Sequence, residues 1–289
     1  MKLDRDAVRE SFERASAAYE ATAVLQARVN DELLDRVAFF KLDPAVILDL
    51  GAGTGRGSRA LAQRFPSAQV VAVDIAQGML REAQRKLGPE AHFERVCGDA
   101  FRLPLRQGSV DLVFSNLLLQ WCDDLGRALA EVRRVLKPGG LFAFTTFGPD
   151  TLVELRTAWA AADGVHSHVN TFLDVHDVGN AVMHAGLNEP VLDVERRLLT
   201  YVDTLAVMRD LKTIGAHNVT ADRSRGLTGR GRWRRMTAAY EAMRDEGRIP
   251  ATYEVIYGAA WGSAERPHGR AAEGEVLIAP SAIGHRDSR

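Results

Sequence analysis

Cysteine, excess charge and long apolar runs are scarce in this chain of 289 residues, and each scarcity excludes a class of protein. The two cysteines, Cys97 and Cys122, cannot form a disulfide framework, so a reducing compartment is expected. Arg, Asp or Gly interrupts every apolar run before it reaches the length of a membrane span. The first residues include acids and no apolar stretch, unlike a secretory signal. We therefore expect a cytoplasmic protein with no membrane partner.

Charge of either sign is also not in excess, because 37 Lys and Arg residues balance 38 Asp and Glu residues. A formal net charge of −1 argues against a protein whose whole surface binds nucleic acid. What is present is a globular composition, with 46% hydrophobic and 26% charged residues. The length suits one large α/β domain with insertions, and we expect a monomer.

Hydrophobic patterning changes twice along the chain. Apolar residues recur at helical spacing through residues 4–40, which predicts an N-terminal helical segment over residues 1–44. Short apolar strands then alternate with helices through residues 45–148. This alternation predicts a doubly wound, mostly parallel α/β sheet of the Rossmann-like kind, with helices on both faces.

The pattern loosens after residue 148. Residues 149–262 contain several helical stretches and two extended ones, at 190–201 and 250–261. We interpret this region as a helical lid or substrate region inserted on the sheet, together with its last strands. Residues 263–289 are small, charged and aperiodic, so we expect a disordered tail.

A glycine-rich turn, Gly51 to Gly55, follows the first predicted strand and opens a helix, with Asp49 two positions before it. Glycines let such a turn bend tightly and let its backbone approach a ligand. A second acid, Asp74, ends the second predicted strand, where its carboxylate can accept both hydroxyls of a ribose. Asp99 follows the third strand and Asn116 ends the fourth, at the carboxyl edge where such sheets bind ligands.

Five segments within residues 46–147 resemble the class I S-adenosylmethionine-dependent methyltransferases: DLGAGTG, VDIAQGM, GDAFRLPL, VDLVFSNLLLQW and RVLKPGGLFAFTTF. The resemblance implies S-adenosylmethionine as cofactor. Its methionine end would lie at the glycine loop, its ribose at Asp74, and its adenine between Met79 and Asp99. The residues expected to bind the cofactor are Asp49, Gly51, Ala52, Gly53, Gly55, Asp74, Ile75, Met79, Asp99, Ala100 and Asn116.

Further segments resemble the malonyl-acyl-carrier-protein O-methyltransferases of biotin synthesis: SFERASAAYEATAVLQ, NLLLQWCDDL, FTTFGPDTLVELRTAW, MRDLKTIGAHN and GRIPATYEVIYG. Two stretches, FGPDTLVELR and PATYEVIYGAAW, also resemble a mitochondrial complex I assembly relative that modifies a protein arginine. A small-molecule methyltransferase of the quinone type and a non-catalytic assembly factor are two rival interpretations. The family implies malonyl-acyl carrier protein, or malonyl-coenzyme A, as substrate, with the methyl ester serving the pimeloyl stage of biotin synthesis.

Methylation of a malonyl carboxylate needs no general base, because that carboxylate is already ionised at neutral pH. The site needs a hydroxyl or a cation to orient it. The family resemblance places the N-terminal helical segment, residues 1–44, over the cofactor site, so Tyr19 is one candidate, and Arg209 is the other. Lys212, three residues from Arg209, could hold the carboxylate or the carrier's phosphate. Gln120 and Trp121 could line the acceptor pocket. A core role for Tyr19 and Trp121, and a solvated face for Lys212, are the competing interpretations.

Six arginines crowd residues 223–235, and among them Arg230, Arg232 and Arg235 are the ones expected to dock the carrier. Acyl carrier proteins are strongly acidic, so a local basic patch suits them. A solvated loop is the competing interpretation, and nucleic acid is not expected because only Trp233 interleaves the arginines.

Four histidines fall in one region, but their spacing matches no metal motif, and no metal is expected. They are His166, His168, His176 and His184.

Overall fold

Two helices precede the sheet, as the helical spacing predicts: α1 (Arg5–Thr22) and α2 (Val24–Val37). The computed structural model describes residues 3–88, 92–163, 168–214 and 229–264. The Asp4 carboxylate caps α1 by accepting from the Ala7 N–H at 3.1 Å. The two helices are separated at Ala23, whose ψ of 52° is not helical.

Seven strands form one sheet in the order β3-β2-β1-β4-β5-β7-β6. They are β1 (Val46–Leu50), β2 (Gln69–Asp74), β3 (Glu94–Cys97), β4 (Val110–Ser115), β5 (Leu136–Phe147), β6 (Leu187–Tyr201) and β7 (Ile249–Gly262). The first five strands pair in parallel, and β7 runs antiparallel to both of its neighbours. The mostly parallel, doubly wound sheet is confirmed.

Helices cover both faces of the sheet. They are α3 (Arg56–Arg64), α4 (Gln77–Arg85), α5 (Leu125–Val135), α6 (Val153–Ala162), α7 (Val175–His184), α8 (Thr204–Thr213) and α9 (Arg230–Glu241). Buried side chains from α2, α3, α6, α8 and α9 belong to one hydrophobic cluster, and those from α5 and α7 to another. Among the residues that the structure describes, no helix is long and apolar enough to span a membrane.

The region after β5 supplies two pairs of helices instead of one continuous lid. The pair α6 and α7 lies between β5 and β6, and the pair α8 and α9 lies between β6 and β7. Val178 and Val182 of α7 are buried in the same cluster as α5, so α7 packs against the sheet in the same layer as α5. Helices α6, α8 and α9, here called the lid helices, bury side chains in the other cluster. The expected disordered tail falls, apart from residues 263 and 264, outside the described residues.

Candidate functional site

The glycine-rich turn joins β1 to α3 at the carboxyl edge of the parallel strands. The N–H groups of Gly51 and Ala52 donate to the Val73 carbonyl at 2.8 and 3.1 Å, which ties the turn to β2. Gly53 has a φ of +53°, and a Cβ there would meet no protein atom within 4 Å. That space is part of a cavity, here called the loop cavity, which Gly51 and Gly53 line. Glycine at 53 therefore suits both the left-handed backbone and a closely approaching ligand.

Gly55, expected to bind the cofactor, has a different role. It lines none of the cavities described below, and a Cβ at this position would lie 2.9 Å from the Ala83 Cβ and 3.0 Å from the Phe93 ring. Its φ is +77°. The third glycine of the motif thus allows α3 to start close to α4, and its predicted cofactor contact is not supported.

Asp74 stands at the end of β2 and lines the loop cavity. Its two carboxylate oxygens accept from the Gly53 and Ala76 N–H groups, each at 2.8 Å. Burial raises the pKa of Asp74, while these backbone hydrogen bonds lower it. The carboxylate is thus fixed in orientation by the loop and keeps lone pairs for the hydroxyls of a ribose.

Asp49 lies behind the glycine loop, in a small cavity that also touches Tyr19, Ala52 and Asn116, here called the side cavity. Asp49 is only 2% exposed, and Ser58 donates its hydroxyl to the carboxylate at 2.5 Å. Burial, offset by that hydrogen bond and reinforced by the charge of Asp74, raises the pKa of Asp49 to about 7. An ammonium group placed in the side cavity would stabilise the ionised form.

This shifted pKa predicts pH-dependent binding of a cationic ligand. The pKa of Asp49 in the folded protein, about 7, exceeds the ordinary value of 3.8. The folded protein therefore loses stability as pH rises from 3.8 through 7, because Asp49 must ionise in a buried site. Below the pKa of Asp49, a ligand ammonium must expel a proton, and we expect cofactor affinity to fall up to about tenfold per pH unit. In Asp49→Asn this dependence disappears, and the cofactor-free protein melts higher at pH 8. Calorimetry and melting curves between pH 5.5 and 8.5 test this, and a flat wild-type affinity contradicts it.

The loop cavity is also lined by the residues that the resemblance assigns to the adenine. Met79 is 1% exposed, and Ile75, Asp99 and Ala100 line the same cavity. Asp99 accepts from the Phe101 N–H at 3.0 Å and pairs with Arg5 of α1. The residues predicted to hold the adenine thus line one cavity, and Arg5 reaches them from α1, the segment expected to lie across the cofactor site.

Helix α1 is tied across the loop cavity by three carboxylate contacts, here called the α1 ties. Arg5 pairs with Asp99, and Glu13 accepts from the Gly78 N–H at 2.7 Å. Glu20 binds Arg59 at 2.8 Å and Lys86 at 2.7 Å. The second tie brings Glu13 so close that a Cβ on Gly78 would lie 2.9 Å from its carboxylate. The ties hold α1 against α3, α4 and the segment after β3.

Tyr19 lines the loop and side cavities. Burial, and then the charge of Asp74, raise the pKa of its phenol, so the hydroxyl stays protonated at neutral pH. Asn116 is anchored nearby: its Nδ2 donates to the Gln26 carbonyl at 3.0 Å, and its Oδ1 accepts from Thr145 at 2.8 Å. Both residues therefore lie beside the expected methionine end of the cofactor.

A larger cavity of about 690 Å³, here called the lid cavity, lies among α1, α6, α8 and β7. It shares four lining residues with the loop cavity, namely Gln26, Trp121, Phe147 and Ile214. These four side chains therefore form the boundary between the two spaces. Two reactants, one in each cavity, would meet there.

The residues predicted to bind the methyl acceptor line different cavities in the structure. Trp121 lines both cavities, but Gln120 lines the loop cavity and donates to the Leu117 carbonyl at 2.6 Å. Lys212 lines the lid cavity. Arg209, three residues earlier on α8, is exposed, lies at a different cleft and donates to the Leu205 carbonyl at 3.2 Å. Its predicted role in orienting the substrate carboxylate is not supported.

Several residues that line the lid cavity were not predicted from the sequence to belong to the site. They are Ser11 and Arg14 on α1, Trp159 on α6, and His168 and Asn170 on the segment before α7. Ser11 and Arg14 lie at helical spacing from the apolar stripe of α1, which was the available signal. His168 and Asn170 have no motif around them.

Two of the three arginines predicted to dock the carrier form hydrogen bonds within the protein. Arg232 binds Asp163 at 3.2 Å, and Arg235 donates to the Ala162 carbonyl at 3.0 Å. Asp163 also lies 3.0 Å from His168, whose ring stacks on Trp159 with centroids 3.8 Å apart. Arg232 and Arg235 therefore join α9 to the end of α6, and this contact reaches the wall of the lid cavity.

Arg230 and Arg234 are exposed on α9. Neither has an ion pair with another described residue. Arg223, Arg225 and His166 lie outside the described residues. Within the described ranges, no group of three His, Cys, Asp or Glu side chains could hold a metal ion.

Relatives of known name match nearly the whole chain. The malonyl-acyl-carrier-protein O-methyltransferase of Laribacter hongkongensis is 49% identical over 95% of this chain and 95% of its own length. Those of Gallionella capsiferriformans and Halorhodospira halophila are 48% and 45% identical, over at least 91% of each chain. The chain belongs to the malonyl-acyl-carrier-protein O-methyltransferase family. A methyltransferase domain model matches residues 48–144, which include the end of β1, the glycine loop and Asp74 of this family member.

Solved structures agree on the fold of this malonyl-acyl-carrier-protein O-methyltransferase family member. A Bacillus halodurans protein described as a methyltransferase superposes with a TM-score of 0.58 at 20% identity, covering 81% of this chain and 99% of its own. The cyclase SpnF superposes with a TM-score of 0.51 at 20% identity, covering 82% of each chain. Because one neighbour is a cyclase, the fold alone does not decide the reaction.

Proposed function

We propose that this protein transfers a methyl group from S-adenosylmethionine to the free carboxylate of malonyl-acyl carrier protein. The product is a methyl ester that serves the pimeloyl stage of biotin synthesis, in the cytoplasm. The observation that supports the proposal best is the meeting of the loop and lid cavities at Gln26, Trp121, Phe147 and Ile214. Cofactor in one cavity and acceptor in the other would react across this boundary.

The loop and side cavities suit the cofactor chemically. Asp74 offers a fixed carboxylate to the ribose, Met79 and Ile75 give an apolar slot for the adenine, and Asp49 offers a negative charge to the methionine ammonium. When bound, S-adenosylmethionine supplies an electrophilic methyl group on a sulfonium. Tyr19 remains a neutral hydroxyl at neutral pH and therefore orients without acting as a base.

The lid cavity suits an anionic acceptor. Among the described residues that line it there is no Asp or Glu, whereas Arg14 and Lys212 supply positive charge. An ionised malonyl carboxylate is already a nucleophile, so no side chain has to remove a proton. Trp121 and Phe147 exclude water at the boundary, which leaves the carboxylate less solvated as it approaches the methyl carbon.

Carrier docking is proposed at the exposed arginines of α9, one of the lid helices. Arg230 and Arg234 leave their charges available to an acidic carrier. Malonyl-coenzyme A carries the same acyl thioester without the protein surface, so it should be a poorer substrate. The protein is proposed to act as a monomer, without metal or nucleic acid.

A labelled-methyl assay tests the proposed acceptor. Malonyl-acyl carrier protein should gain base-labile label, whereas acetyl-acyl carrier protein should gain none, because it has no terminal carboxylate. At saturating cofactor the rate should stay flat between about pH 6 and 9, since no base must lose a proton. Equal methylation of a quinol precursor or of a peptide arginine contradicts the proposed substrate class.

A further inference from the structure

The lid cavity contains a polar atom that the malonyl group cannot satisfy. Asn170 is 7% exposed and lines the cavity, and its side-chain oxygen Oδ1 has no hydrogen-bond partner among the residues that the structure describes. A buried acceptor without a donor is destabilising, and most such atoms in folded proteins are paired. This atom therefore suggests a donor that arrives with the substrate.

Within the malonyl-pantetheine part of the proposed substrate, such donors lie only on the pantetheine arm. The ionised carboxylate and the thioester carbonyl of a malonyl group are acceptors, and neither can donate to an amide oxygen. The pantetheine arm that carries the malonyl group contains amide N–H groups. An amide oxygen and an amide N–H form an ordinary neutral hydrogen bond.

The surroundings of Asn170 favour an arm and not the carboxylate. The cavity of about 690 Å³ falls in the range that holds a drug-sized ligand, so it has space beyond a malonyl group. Its walls near this segment are apolar and aromatic, including Trp159 and Phe172. The positive charges that would attract a carboxylate or a phosphate are on Arg14 and Lys212, which are exposed.

We propose that Asn170 is a specificity-determining residue that accepts a hydrogen bond from an amide N–H of the substrate's pantetheine arm. The proposal rests on the proposed function, since it assumes a malonyl thioester in the lid cavity. It assigns recognition of the arm to Asn170 and leaves the carboxylate to other groups. Thioesters that lack this N–H should therefore be poorer substrates even when their malonyl group is intact.

The test uses malonyl-pantetheine and two analogues in which a methylene replaces one amide N–H or the other. With the wild-type protein, one analogue should react with about tenfold lower kcat/KM than malonyl-pantetheine. This is the effect expected when one hydrogen bond is lost and its buried acceptor is left unpaired. In Asn170→Leu, the parent and that analogue should react equally. Asn170→Asp keeps an acceptor oxygen and should keep the discrimination, whatever its overall rate.

The controls separate this proposal from the function on which it rests. Calorimetric affinity for S-adenosylmethionine should be unchanged in both variants, which shows that the fold and loop cavity are intact. If the wild-type protein methylates malonyl-acyl carrier protein but treats all three pantetheine thioesters alike, the role of Asn170 is wrong and the function stands. The same conclusion follows if Asn170→Leu keeps the wild-type discrimination. If the wild-type protein methylates neither the carrier nor malonyl-pantetheine, both proposals fail.

Discussion

Asp74→Ala should weaken S-adenosylmethionine binding at least about a hundredfold, since each charge-assisted hydrogen bond contributes about 1.5–3 kcal/mol. Two such bonds, to the ribose hydroxyls, would be lost. The substitution also frees the Gly53 and Ala76 N–H groups that the carboxylate now holds. The glycine loop then loses the contact that orders it, which adds to the loss of affinity.

The measurement is titration calorimetry with matched variants. Asp74→Asn preserves the shape and one acceptor oxygen, and should fall between the wild-type protein and Asp74→Ala. Asp193→Ala removes an exposed carboxylate of β6 that pairs with Arg36, away from the cavities, and should bind the cofactor normally. Wild-type affinity in Asp74→Ala would show that the ribose is held elsewhere.

Reversing Arg230 and Arg234 to Glu should raise the KM for malonyl-acyl carrier protein steeply, by about tenfold or more, because electrostatic steering acts mainly on association. These two are preferred because they are exposed and have no ion pair with another described residue. Reversal of Arg232 would instead place a carboxylate against Asp163 and disturb the junction of α6 and α9.

The matched control reverses two exposed arginines that also have no ion pair with another described residue. Arg64 on α3 and Arg106 before β4 change the net charge by the same amount. The double reversal on α9 should leave KM for malonyl-pantetheine and affinity for the cofactor unchanged. If both double variants raise the KM for the carrier equally, net charge and not docking at α9 explains the effect.

The cavity proposed for the cofactor is lined mostly by residues within the segments that the sequence analysis named, because its chemistry is local in sequence. Gly53 and Asp74 each lie at the end of a strand, so the topology of a parallel sheet brings them to one edge. Even there, the packing role of Gly55 could not be predicted, since its closeness to Ala83 depends on how α3 packs on α4.

The cavity proposed for the acceptor depends on packing between distant segments. Asp163 and Arg232 are 69 residues apart, and no pattern in a run of arginines indicates which one will be paired. Likewise, the spacing of Arg209 and Lys212 does not reveal that the wall of the lid cavity includes only the second. The unpaired side-chain oxygen of Asn170, too, can be recognised only from the folded structure, in which the cavity around it is formed.

The α1 ties have a consequence for how the enzyme should be assayed. The side chains of Arg5 and Asp99 are 40% and 34% exposed, so their attraction weakens as dissolved ions accumulate. Raising ionic strength to disrupt the proposed carrier docking should thus also loosen α1, which lies across the loop cavity. A fall in turnover with added salt would therefore have two sources. The part due to docking would be the difference between the salt response with the carrier and that with malonyl-pantetheine, which has no protein surface to dock.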